Sequence, residues 1–283
     1  MKGRRRDIRG WIFKAALLSS LIIAFVTLGT LLVDVAGDGF EFLDKRFLTG
    51  PPSTDPQQAG AGPAIRATFY LGVLVLVLSA PLGVGTAIYL EEYADSHRWY
   101  NRLLEVNIQN LAAVPSIVYG ILGLAFIVRG PFGIGRVLLA GGLILTLLVL
   151  PTVISASREA IRAVPASIRE GAFALGATRW QVVWRQVLPA AIPGIATGSI
   201  LALSRGIGET AALLLIGALT YIAFDPTLLG PFTALPVQIF TWSQQPQEEF
   251  LKLAASGIIV LLAMLLTLNA FAIWLRNRYQ RRW

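Results

Sequence analysis

The chain has 283 residues, 55% of them hydrophobic and only 14% charged, with a mean hydropathy of +0.66. That composition excludes a soluble domain, and the absence of cysteine excludes disulfides and thiol chemistry. The net charge of +8 is gathered in the ends and one loop, which argues against nucleic acid as its reason.

A membrane helix needs about 20 apolar residues to cross a hydrocarbon core of about 30 Å. Six stretches qualify: Trp11–Val33, Ala67–Leu90, Ile108–Val128, Arg136–Ser155, Ala190–Leu219 and Phe250–Leu275. The expected fold is therefore an all-α polytopic membrane protein with six transmembrane helices. A closed barrel would show short alternating strands instead.

In chain order, residues 1–10 form a basic segment with Lys2, Arg4, Arg5, Arg6 and Arg9 against Asp7. Residues 11–33 read as a retained first helix. The apolar run is long for a signal peptide, and no A-x-A site follows. Lys14 lies near its inner end, where it can snorkel to the headgroups. Residues 34–66 form an outer loop, in which Asp34–Pro63 has five acids against Lys45 and Arg46. Within it, Gly50–Pro63 is rich in Pro, Gly and small polar residues and reads as flexible. Gly83 and Gly85, near Pro81, read as a bend or a close-packing site.

Residues 67–275 read as one core of five membrane helices with an inner loop at 156–189. That loop carries five arginines against Glu159 and Glu170. The outer segment 220–249 has three acids and no base, and Leu235–Trp242 reads as a short interfacial helix with an aromatic belt. Residues 276–283 form a basic tail with Arg276, Arg278, Arg281 and Arg282. Positive loops face the cytoplasm, so both termini are expected there. Two places run against the rule: Glu91–Glu105, with four acids and two arginines, and the short outer loop holding Arg129 and Arg136.

Arg205 and Glu209 stand inside the fifth apolar stretch, in LSRGIGETAALLLIGA (Leu203–Ala218). At about 100° per residue, Gly194, Gly198, Ala202, Arg205 and Glu209 share one side of a continuous helix. Ile200, Leu203, Ile207 and Leu214 take the other. Small residues at four-residue spacing let membrane helices approach closely, and intramembrane charges face protein or an aqueous cavity. One reading is an Arg–Glu pair that only locks helix packing. The other is an anion path, in which Arg205 attracts an oxyanion and Glu209 partly neutralises it, so that release stays possible.

The inner loop Pro165–Pro189 contains two helix starts. Ser167 with Glu170 and Thr178 with Gln181 both fit capping boxes, and Gly176 sits where the first helix should end. Trp180, Val183, Trp184, Val187 and Leu188 follow helical spacing along one face. The element is expected to be a short helix, a glycine bend and an amphipathic helix. It either rests on lipid or docks into a soluble partner.

Glu170-Gly171-Ala172, then Gly176, then Leu188-Pro189 resemble the EAA motif of ABC importer permeases. Gly171 stands where alanine is usual and Gln186 where an aliphatic is usual. Ser204–Ala218 (SRGIGETAALLLIGA), Leu235–Phe250 (LPVQIFTWSQQPQEEF), Ala113–Gly120 (AVPSIVYG, with Pro115 able to kink the third span) and Tyr89–Ala94 (YLEEYA) resemble the phosphate-permease, PstA-type branch of that family. Ser204 before the arginine and Ala212, where proline is common, depart from its pattern.

The resemblance implies a MetI-like permease fold in a bacterial inner membrane. It implies ATPase coupling through Glu170, Gly171, Ala172 and Gly176, and a phosphate pathway at Arg205 and Glu209. The implied partners are a PstC-like second permease, two PstB-like ATPases, a PstS-like phosphate-binding protein, phosphate and the lipid bilayer.

No catalytic residue and no metal site are expected. No P-loop motif occurs, so ATP and Mg would be bound by the partner ATPase and this chain would carry no cofactor. His97, the only histidine, reads as a solvated interfacial residue. Two rivals stay open: a permease for another oxyanion such as molybdate or sulfate, and an ATP-independent anion channel or membrane sensor.

Overall fold

A computed structural model describes residues 8–95, 97–218 and 221–279. Lys2, Arg4, Arg5, Arg6 and Asp7, Arg281 and Arg282, and Leu219 at the end of the fifth stretch lie outside the described residues. The described secondary structure is all helical. The long helices are α1 (Ile8–Gly39), α3 (Gly62–Ile88), α6 (Leu138–Arg162), α9 (Leu188–Ile207) and α12 (Glu248–Tyr279). Short α2 (Lys45–Thr49) precedes α3, and α4 (Trp99–Ala113) and α5 (Ser116–Gly123) lie between α3 and α6. Helices α7 (Ala166–Ala174) and α8 (Arg179–Val182) form the inner loop, and α10 (Ala211–Ile216) and α11 (Leu235–Ser243) precede α12. Single π turns extend α3 (Tyr89–Tyr93) and α5 (Leu124–Val128) and join α8 to α9 (Val183–Val187).

Five continuous stretches are long and apolar enough to cross a membrane, and a bent pair makes a sixth. The bend corrects the third expected span. Ile108–Val128 is not one helix: α4 and Ser116–Val128 meet at 102°. Val114 and Pro115 are extended there, because the proline ring clashes with a helical preceding residue. Ser116–Val128 rises only about 20 Å, which is short of a full crossing. α4 leaves Trp99, Leu103, Leu104 and Leu111 exposed.

The centre is the layer α3–α6–α9. Lipid is as apolar as leucine, so membrane helices associate through close packing, and small residues supply it here. Gly194 and Gly198 of α9 lie against Ala160 and Ala156 of α6, and Gly206 lies against Val149. Gly83 of α3 packs on Val153, the close packing expected of it, whereas Gly85 has open space around it. The buried cluster Leu71, Val75, Ile144, Leu145, Val149 and Leu203 fills the middle of this layer.

The outer loop is folded where flexibility is expected. Asp44 caps α2 by accepting from the Phe47 N–H at 2.7 Å. Backbone bonds from Gly60 to Pro51 (2.8 Å), Ala61 to Phe47 (2.7 Å) and Gly62 to Gly50 (2.9 Å) tie the loop to itself. Its Phe47, Ala59 and Ala61 are buried with Leu235 and Trp242 of α11. Helix α11 is thus a packed element, with Phe240 left exposed. Trp242 sits 5.8 Å from the Phe47 ring, and the Leu235 N–H donates to Thr68 Oγ1 of α3 at 2.7 Å.

Helix α1 stands apart. Every residue from Trp11 to Asp34, Lys14 included, is exposed. Its end is moored on α12: the Ser256 hydroxyl donates to the Gly39 carbonyl at 2.6 Å, and Lys252 pairs with Glu41 at 2.6 Å.

The charges at Glu91–Glu105 find their explanation in three dimensions. Arg158 of α6 donates to Glu91 at 2.5 Å and to Glu105 of α4. Arg162 donates to Glu91 at 2.7 Å, and Arg169 of α7 to Glu92 at 2.8 Å. The acids are thus neutralised by arginines of the neighbouring loop, so both charge runs belong on one side of the membrane. His97 is exposed beside Asp95, and its backbone N–H, 2.9 Å away, leads the contacts that hold the Asp95 carboxyl below its ordinary range.

Candidate functional site

The fifth apolar stretch is broken where a continuous helix is expected. α9 ends at Ile207, and α10 runs only from Ala211 to Ile216. Gly206 and Gly208 weaken the helix locally. Glu209 supplies the alternative: its Oε1 accepts from the Ala211 N–H at 3.1 Å and approaches Ala212 N at 3.5 Å. A side chain that bonds the backbone offers the chain another route than the helix ladder.

This overturns the shared-face pairing of Arg205 with Glu209. No ion pair forms between them among the described residues. Arg205 lies in the last turn of α9, where a cation is favoured by the helix carbonyl end. It is exposed on the isolated chain and makes no hydrogen bond or ion pair among the described residues. The Tyr119 hydroxyl of α5 donates to the Leu111 carbonyl at 2.9 Å. Gly194, Gly198 and Ala202 take up a different task, packing α9 onto α6.

Two contacts fix this region. Gly120 of α5 lies directly against the Ala212 backbone, where a Cβ would come within 2.9 Å of Ala212 Cα. Gly217, at φ +88°, ends α10 in a left-handed turn. The Gly217 and Ala218 N–H groups return to Leu214 and Leu213. Ser204 bridges to α12, with its hydroxyl 2.9 Å from Asn269 Oδ1. Asn269 stands in no motif, and only the fold brings it to the break.

Replacing Glu209 by Ala should cost about 1 kcal/mol, the usual worth of a helix cap. A lower thermal midpoint of the detergent-purified chain would register it, with Glu209→Gln retaining part of the loss. An unchanged midpoint for the alanine variant contradicts the capping role.

The inner loop forms helix, bend and helix as expected. Gly176 takes φ +78°, and the Gly176 and Ala177 N–H groups reach back to Phe173 (2.9 Å) and Ala172 (3.1 Å). The Thr178–Gln181 capping box is present, with bonds of 2.9 and 3.4 Å. The Ser167–Glu170 box is not: Pro165 is the N-cap of α7, which starts at Ala166 and leaves Ser167 inside the first turn. Glu170, Gly171 and Gly176 are exposed and Ala172 is half-buried.

The amphipathic stripe also differs. The π turn Val183–Val187 adds a residue to the repeat and turns Val182, Val183 and Val187 inward. Trp180 and Trp184 stay exposed, their rings 5.0 Å apart and tilted by 48°. Phe173 and Leu175 are exposed beside them, Leu175 at 90%. The loop thus shows an apolar tip with arginines around it. Arg179 lies over the Tyr93 ring at 5.3 Å.

A close-packed helical layer with a broken span and a bent inner loop is the architecture of an importer's membrane subunit. Residues 79–283 match the family model for the binding-protein-dependent transport system inner membrane component. The chain is 32% identical over 271 residues to the probable ABC transporter permease protein YqgI of Bacillus subtilis, covering 91% of each. It is 35% identical over 238 residues to the phosphate transport system permease protein PstA of Yersinia pestis, covering 83% of this chain and 78% of that one. A solved bacterial alginate ABC transporter, in complex with its pentasaccharide-bound periplasmic protein, contains a chain of the same fold. The TM-score is 0.68 at 19% identity, over 96% of both chains. The chain belongs to the family of inner membrane components of binding-protein-dependent transport systems, and is a multi-pass membrane protein.

Proposed function

We propose that this chain is the PstA-like permease subunit of an ATP-driven phosphate importer and forms half of its translocation path. The observation that carries the reading is Arg205: a guanidinium with no hydrogen bond or ion pair among the described residues, at a broken helix within the part of the chain that matches the permease family. Broken helices at membrane depth line substrate sites, because freed backbone groups need a polar cavity or protein around them. Relatives named as phosphate permeases at about a third identity support phosphate as the anion.

In this reading the partners are a PstC-like permease, two PstB-like ATPases and a PstS-like binding protein. The ATPases bind ATP and Mg, and this chain needs no cofactor. The loop 156–189 docks on the ATPase through its apolar tip, with Glu170, Gly171, Ala172 and Gly176 setting its shape. Both termini, including the basic segments 1–10 and 276–283, lie in the cytoplasm. The arginines of the inner loop and the acids they pair with support that orientation. In this reading helix 11–33 crosses the membrane, segment 34–66 lies outside it, and 67–275 is the permease core.

Proteoliposomes holding the four kinds of subunit test the reading. Radiolabelled phosphate should enter only with ATP, and an excess of molybdate or sulfate should leave its entry unchanged. Displacement by either oxyanion would transfer the path to that anion. Entry without the ATPase subunits would make it a channel.

A further inference from the structure

Two kinds of contact join the inner loop to the rest of the chain. Ile168 and Ala172 of α7 pack on the buried cluster of Ile161, Val164 and Val182. Apolar contact is non-directional, so it holds α7 down without fixing its bearing. Arg169 supplies the bearing. Its Nε and Nη2 donate to Glu92 Oε1 at 3.1 and 2.8 Å. Nη1 donates to the Val164 carbonyl at 2.7 Å, and Nη2 also to the Ile161 carbonyl at 2.9 Å.

One guanidinium therefore ties together α7, the carbonyl end of α6 and the π turn that ends α3. Glu92 is buried, at 7% exposure, and the Arg169 side chain is 22% exposed. Breaking a buried pair of this kind leaves an uncompensated charge. Its neighbour Glu170 points the other way and is exposed.

From Glu92, α3 runs the depth of the layer to Gly62. On the way Gly83 rests on Val153 of α6. Farther out, Gly72 faces Ile207 Cδ1, which a Cβ there would meet at 3.1 Å. Ile207 is the last residue of α9, two positions beyond Arg205. With no side chain on Gly72, the α3 backbone faces the Ile207 side chain at the end of the broken helix.

We propose that Arg169 is a positioning residue for ATP coupling: through Glu92 it makes α3 a push rod from the inner loop to the break at Gly208. The proposal rests on the reading of the chain as an ATP-driven permease. Displacement of α7 moves Glu92 because two donors of one rigid fork hold it. Helix α3 then carries the shift to Ile207, and the Arg205 turn changes its setting.

The test uses the complete transporter in proteoliposomes and measures phosphate taken up per ATP hydrolysed. Arg169→Ala should assemble and hydrolyse ATP, with uptake per ATP lower by about tenfold or more, the size of a usual coupling free energy between sites. Glu92→Gln keeps an acceptor and should lose less. Arg169→Glu and Glu92→Arg should each uncouple, and the double exchange should recover uptake per ATP above either single change.

A purely structural role would lower the yield of complex and leave the ratio untouched, which overturns the proposal. So does a wild-type ratio in Arg169→Ala, or an exchange no better than its parents. If no variant at either position assembles, the pair serves folding and the proposal is likewise overturned. A wrong choice of anion shows itself separately, because the unaltered transporter then takes up no phosphate, and the ratio is measured with the anion it carries.

Discussion

Arg205→Ala should abolish ATP-dependent phosphate uptake while leaving the transporter assembled. The guanidinium makes no hydrogen bond or ion pair among the described residues, so its removal leaves no orphaned partner in this chain and little cause for misfolding. What it removes is the charge offered to a partly dehydrated anion. Losing one side of a desolvated charged contact costs about 2–5 kcal/mol, and each 1.4 kcal/mol is about tenfold. Uptake should therefore fall by roughly 30-fold to several thousandfold. Arg205→Lys keeps the charge without the planar fork and should hold an intermediate rate. Co-purification of the ATPase and initial uptake rates check the two halves separately. Normal uptake by the alanine variant would remove Arg205 from the path, and loss of assembly would make it a packing residue.

Gly198→Leu should fail earlier, at folding. Gly198 lies so close to Ala156 that even a Cβ has no room, and alanine has no rotamer by which to move aside. Overpacking a filled interior costs about 1–3 kcal/mol and sometimes more, against a total stability of about 5–15 kcal/mol. The strain would fall on the α6–α9 seam that carries the centre of the layer. The expected result is a large drop in folded protein recovered from membranes and in its thermal midpoint. Gly85→Leu is the control. Nothing stands within 4 Å of a Cβ there, so yield and midpoint should stay near wild type. Equal behaviour of the two variants would refute the seam.

Features set by neighbours in sequence were legible before any coordinates. Gly176 and the Thr178–Gln181 box depend on a few residues of local backbone, and both stand as read. The helical class follows from apolar run length alone, which the bilayer dictates. Ser167 was misplaced because Pro165, two positions earlier, claims the cap. Helix-wheel geometry failed at Glu209 because apolarity is the same on both sides of the break. What ends α9 is a carboxylate taking backbone N–H groups, which no periodicity records. Trp180 and Trp184 part from Val183 and Val187, with which a count of 3.6 residues per turn groups them on one stripe, because the π turn does not obey that count.

The acids at Glu91, Glu92 and Glu105 looked misplaced for a different reason. Their partners stand 53 to 77 positions away, beyond the reach of any local rule. The same separation hid Arg169, whose role exists only once α3 and α7 meet. Arg205 itself was visible as a charge in an apolar stretch. Its lack of a partner was not, since Glu209 at four-residue spacing looked like one.

Helix α1 is a mast stepped at one end. Its mooring on α12 lies at Gly39 and Glu41, while the opposite end stands about 48 Å off at 1.5 Å per residue. A swing of about 5° at the step carries that far end by about 4 Å over such a length. Every described residue from Trp11 to Asp34 is exposed. The bearing of the mast is therefore dictated by whatever surrounds it, lipid or a neighbouring subunit.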